Sequence, residues 1–177
     1  MRKVTRAALA LAGSAALIGV TTVPALAVTT DGTETTVTVP AGVLSITVPT
    51  GATLSTGVPG ADSTVALTAT EVTDKRAGTV NWTATVTLPA LTGTVLTTET
   101  IPTTGATYLA GTATPTGTVT LAGPTLKTDL STAAVTSQAT TAVSGNNSAS
   151  WTATLTVPIP AQVLADTYTG TMTQSVS

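Results

Sequence analysis

Two stretches of this chain alternate apolar and polar side chains at every step. In the first, Val80, Trp82, Ala84, Val86 and Leu88 are interleaved with Asn81, Thr83, Thr85 and Thr87. In the second, Trp151, Ala153, Leu155 and Val157 are interleaved with Thr152, Thr154 and Thr156. A period of two puts one set of side chains on each face of an extended strand, so such a stretch can bury only as part of a sheet. Threonine suits the outer face, because its β-branched side chain fits a pleated surface while its hydroxyl meets water. Shorter runs of the same kind recur at Thr35–Val39, Val43–Val48, Val65–Val72, Thr116–Leu121, Ala133–Gln138 and Thr167–Val176. Between them stand Pro49-Thr50-Gly51, Val58-Pro59-Gly60, Gly123-Pro124 and Ser144-Gly145-Asn146-Asn147, each of a composition that reverses a chain. The pattern predicts an all-β fold, a single antiparallel β-sandwich, with Pro160–Asp166 as the one place for a helical turn.

The first residues follow a different logic. Met1–Arg6 is basic, Ala7–Val20 is apolar and uncharged, and Val23-Pro24-Ala25-Leu26-Ala27 ends in small residues two apart. That is the layout of a secretory signal peptide, residues 1–27, with cleavage expected after Ala27. The apolar run is shorter than the roughly 20 residues that span a bilayer. Residues 28–177 then form the expected domain, with Val28–Glu34 as a lead-in, and the expected location is extracellular or cell-surface associated. No membrane contact is expected after cleavage.

Without residues 1–27 the chain keeps three basic residues, Lys75, Arg76 and Lys127, against eight acidic ones, a net charge of −5. A base-poor surface cannot neutralise a run of phosphates, which excludes nucleic acid as an expected partner. There is no cysteine, histidine or phenylalanine. The core must therefore be aliphatic and held without disulfides. The commonest general base, the thiolate nucleophile and the usual zinc ligands are all missing. No G-x-S-x-G elbow occurs, and the carboxylates Asp62, Glu71, Asp74, Glu99, Asp129 and Asp166 are scattered singly. The expectation is a protein that is not an enzyme and uses neither metal nor cofactor.

Two features remain as candidate sites. Asp74-Lys75-Arg76 is the one cluster of charge: either a polar hook for a carbohydrate or anion, or an exposed turn in which Arg76 pairs with a carboxylate. Trp82 lies close by in sequence and could add a reachable indole edge. Its place on the apolar face favours a core position over ligand contact, as with Trp151, and Tyr168 is expected in the core as well. Asn81-Trp82-Thr83 and Asn146-Asn147-Ser148 match the N-glycosylation pattern, which is short enough to arise by chance.

Taken in order, Val72-Thr73-Asp74-Lys75-Arg76 with Trp82-Thr83-Ala84-Thr85-Val86, then Asn146–Leu155 around Trp151, then Tyr168-Thr169-Gly170-Thr171-Met172-Thr173, resembles the WxL-domain surface proteins of Gram-positive bacteria. The resemblance implies an exported β-sandwich that associates with the cell wall non-covalently, through peptidoglycan. Both Trp-x-Leu motifs are degenerate here. The first reads Trp82-Thr83-Ala84, and the second falls on Gln174-Ser175-Val176. The expected function is a non-catalytic module contacting wall polysaccharide or another surface protein, with Asp74, Lys75, Arg76 and Trp82 as its candidate contacts. The alternative is a structural domain that self-associates into a surface layer, because uncharged strand edges invite pairing.

Overall fold

A computed structural model describes residues 31–131 and 133–177. The expected signal peptide and its cleavage position lie outside them. The chain divides into two units at Thr38/Val39; every described strand belongs to the unit Val39–Ser177, and residues 31–38 carry none.

The fold is all-β, with every strand pair antiparallel. In order the strands are β1 (Leu44–Thr47), β2 (Asp62–Asp74), β3 (Thr83–Thr87), β4 (Leu91–Gly93), β5 (Thr100–Ile101), β6 (Thr107–Ala110), β7 (Thr114–Leu121), β8 (Leu126–Thr128), β9 (Val135–Pro158), β10 (Tyr168–Thr169) and β11 (Thr173–Val176). Strand β9 organises the rest. Along one edge, its C-terminal half pairs with β2, from Asp62↔Pro158 to Asp74↔Asn147, and its N-terminal end pairs with β3. Along the other edge it carries β6 and β7. β1 extends the sheet beyond β2, β11 beyond β3, and β8 beyond β6, while β10, β4 and β5 make a small separate sheet.

One strand can serve so many partners because it bends. Ser144-Gly145-Asn146-Asn147, expected to reverse the chain, instead lies inside β9. Gly145 takes φ 70° there, and Gly117 on the neighbouring β7 takes φ 81°. The register slips at that point, from Thr116↔Ser148 to Thr118↔Ser144. A Cβ on Gly117 would stand 2.6 Å from the Asn146 carbonyl oxygen, so only glycine fits the paired kink. The local turn chemistry was real, but hydrogen bonds on both edges of β9 held the strand together through it.

The alternating faces bury as their pattern demands: Ala84 and Val86 of β3, and Trp151, Ala153, Leu155 and Val157 of β9, join one aliphatic core. Burial of each large side chain contributes on the order of 1.5–3 kcal/mol. Four short strands, β4, β5, β6 and β8, had no sequence signal strong enough to show. Three further expectations are corrected. Thr35–Val39 forms no strand, Pro160–Asp166 forms only an isolated turn closed by the Val163 N–H on the Pro160 carbonyl at 3.2 Å and no helix, and Val80 is exposed, so the buried face begins at Trp82.

Candidate functional site

The charge cluster is an internal staple. Asp74 ends β2 on its buried face, with its side chain only 3% exposed, and Arg76 folds back over it. The guanidinium makes a two-pronged contact, Nε to Oδ1 at 3.0 Å and Nη2 to Oδ2 at 3.0 Å, and the Arg76 backbone N–H donates to Oδ1 at 2.9 Å. Nη2 also donates to the Val80 carbonyl at 3.3 Å. The turn between β2 and β3, with Ala77 and Gly78 at positive φ, is thereby tied at both ends. Arg76 holds the Asp74 carboxyl below the usual carboxylate range, against the opposing effect of burial, and Asn147 adds a further hydrogen bond in the same direction. Lys75 alone of the three is exposed.

Trp82 is 1% exposed, so of its two expected roles the geometry leaves it the one in the core. Its Nε1–H donates to Asn147 Oδ1 at 3.1 Å. Asn147 sits opposite Asp74 in the β2–β9 register. Arg76, Asp74, Asn147 and Trp82 thus form one hydrogen-bonded chain from the surface to the core. Trp151, 2% exposed, is likewise a core residue; its Nε1–H donates to the Tyr108 hydroxyl at 3.2 Å, which in turn donates to Gln174 Oε1 at 3.4 Å. That second chain joins β6 to β11 across the core. Burial raises the pKa of Tyr108, which keeps its hydroxyl protonated and able to donate.

Tyr168 is the correction among the core residues. It is half-buried at the margin, where its hydroxyl donates to the Leu164 carbonyl at 2.9 Å. Tyr108 is the fully buried tyrosine, and the sequence reading missed it. Its only signal was the short alternation Ala106, Tyr108, Ala110.

A cleft of about 960 Å³ lies between the segments Pro49–Gly57 and Val163–Met172. Its floor is aliphatic: Leu67 of β2, Leu155 of β9, Leu91 of β4, Ile101 of β5, and Leu88. Its walls carry neutral hydroxyls, among them Thr53, Ser55, Thr167 and Thr171. Asp166 is the carboxylate in the lining, and it is already engaged. It accepts from the backbone N–H groups of Leu96 at 2.7 Å, Val95 at 3.0 Å and Thr167 at 2.7 Å, and from the Thr94 hydroxyl at 3.2 Å. Those bonds, that from Leu96 foremost, hold its pKa down. Among the described residues no three acids come together as a metal site would require. Such a cleft can bury apolar groups and trade hydrogen bonds with neutral ones. It does not join the charge cluster or Trp82, none of which lines it. No sequence pattern marks the cleft, because its walls are irregular segments far apart in the chain.

No family model matches the chain, and no curated protein matches it either.

Proposed function

We propose that this chain is an exported, non-catalytic module of the bacterial cell surface, of the WxL-like kind its sequence resembles, and that it contacts wall polysaccharide or a surface protein through the cleft. One observation carries this reading: the large cleft is floored by aliphatic side chains and rimmed by neutral hydroxyls, with its carboxylate committed to a loop. That lining supplies contact area and hydrogen bonds but no group poised to transfer a proton or attack a bond. The Asp74–Arg76 pair supports the same placement, since its hydrogen bonds are spent inside the turn.

The test is co-sedimentation of the chain from Val28 onward with isolated Gram-positive cell walls, beside two variants. Thr171→Arg puts bulk and charge into the cleft from an exposed position; Arg76→Ala removes the staple. Saturable pelleting that Thr171→Arg weakens at least tenfold and Arg76→Ala leaves intact supports the cleft. Retention on purified peptidoglycan identifies polysaccharide as the ligand, and binding lost from protease-treated walls identifies a protein. If the native chain does not pellet from any wall preparation, the reading fails. If Arg76→Ala alone abolishes pelleting while staying folded, the contact returns to the charge cluster.

A further inference from the structure

The sheet beside the cleft is one strand short. β1 accompanies β2 only as far as Thr47↔Glu71. Pro49 then removes the N–H that a continued ladder would need, and Pro49-Thr50-Gly51 leads the chain away. It returns to β2 at Ser55, whose N–H donates to the Thr64 carbonyl at 2.9 Å. Thr64 therefore points its backbone groups away from β9, and so does Ala66, two residues on in unbroken register. Between Thr64 and Glu71, among the described residues, that outer edge of β2 has no backbone partner. Val65 and Leu67 of the same stretch line the cleft. An open ladder edge bordering an apolar cleft is the arrangement that takes up an extended peptide as an added strand.

The chain also carries a segment of matching form. Thr35-Thr36-Val37-Thr38-Val39 alternates as a strand does, yet among the described residues it pairs with no strand, and Val37 and Val39 are 87% and 82% exposed. Five extended residues span about 17 Å, the scale of the gap from Val65 to Thr70. Neither stretch contains a charged residue, so a neutral strand would meet a neutral edge with no ion to desolvate. We infer that the open edge of β2 at Val65–Thr70 accepts the Thr35–Val39 segment of a second copy of this chain, with Val37 and Val39 directed into the cleft. The contact is head-to-tail: each copy offers both a donor and an acceptor, so the chains join into open arrays rather than closing as a two-fold dimer. This inference rests on the reading of the cleft as the contact surface and names what enters it.

The experiment is sedimentation velocity over a concentration series, with two variants that each remove one half of the contact. Val37→Asp/Val39→Asp disables the donor at positions exposed in the single chain. Ala66→Pro removes the outward N–H of the acceptor and leaves the β9 ladder in place. The native chain is expected to form concentration-dependent oligomers. Each variant alone is expected to be monomeric, with its β circular dichroism and melting intact. Mixed together, the two variants should give dimers and nothing larger, because the mixture holds one working donor and one working acceptor. A native chain that stays monomeric throughout overturns the inference, as does assembly that both variants preserve. A monomer in which Val37→Asp/Val39→Asp lowers the melting temperature and exposes the Ala66 amide to exchange overturns it too, by showing the segment seated in its own molecule. If Ala66→Pro unfolds the chain, Thr68→Lys on the same exposed stretch replaces it, and Thr68→Lys must also abolish assembly. Wall pelleting of Val37→Asp/Val39→Asp separates the two readings: if it persists while self-association fails, wall contact through the cleft stands and only the second copy is lost.

Discussion

The two tryptophan stretches use nearly the same residues and do different work. Trp82 precedes a five-residue strand and points its N–H at Asn147, whose neighbour across the sheet is the stapled Asp74. Trp151 sits within β9, the longest described strand, and points its N–H at Tyr108 of β6, which continues to Gln174 on β11. One indole ties the core to a turn at its rim; the other ties β6 to β11, two distant strands of one sheet, across the core. The difference teaches that a repeated strand pattern guarantees burial of the ring but does not choose the partner of its nitrogen. That choice falls to residues more than forty positions away.

The comparison can be broken most severely by truncating each ring. Trp151→Ala and Trp82→Ala should each lose about 3–5 kcal/mol in denaturant unfolding, from lost burial and the cavity left behind. Trp151→Ala is expected to be the costlier, because its strand pairs on both edges. Removing only the polar partner is gentler. Tyr108→Phe leaves the Trp151 N–H buried without an acceptor and should cost about 1–3 kcal/mol, with no change in the stability gap between native chain and Asp74→Asn. A measurable coupling between Tyr108 and Asp74 would show that the two chains of hydrogen bonds are not independent.

Asp74→Asn weakens the rim side by about 1–2 kcal/mol at neutral pH, since it replaces charge-assisted bonds while Arg76 stays partly solvated. Its pH dependence sharpens the contrast. The folded-state pKa of Asp74 lies below its unfolded value, chiefly through hydrogen bonds from Arg76. The contribution is therefore fully present above the ordinary carboxylate range, near pH 4, and is lost as pH falls through the folded value. Melting temperatures measured from pH 7 down to pH 2 should fall less steeply for Asp74→Asn than for the native chain, whereas Tyr108→Phe should parallel the native curve. Trp82→Phe removes the bond to Asn147 together with part of the indole's bulk, an expected loss of about 1–2 kcal/mol, well short of Trp82→Ala and read from the same denaturation midpoints.

The all-β class was legible because period-two alternation survives in any context, and so was the burial of both indoles. The candidate site was legible only in part. Asp74-Lys75-Arg76 stood out as charge in a neutral chain, but its sequence could not show that Asp74 faces inward and Arg76 folds onto it. Tyr108 was missed because β6 is four residues long and too short to display a period. Ser144–Asn147 misled because glycine and asparagine favour reversal locally, while hydrogen bonds to β2 and β7 on either side kept β9 continuous.

By itself, the sequence determined that this chain folds into sheets, which faces turn inward, and that its core is aliphatic. Those properties follow from side-chain period and composition, which act over a few residues. Only the tertiary structure decided where β9 bends, which hydroxyl or amide each indole nitrogen meets, and that two irregular segments enclose a cleft beside an unfinished sheet edge. These depend on pairings between residues far apart in the chain, whose register is fixed by the packing of the whole sheet and is carried by no single segment.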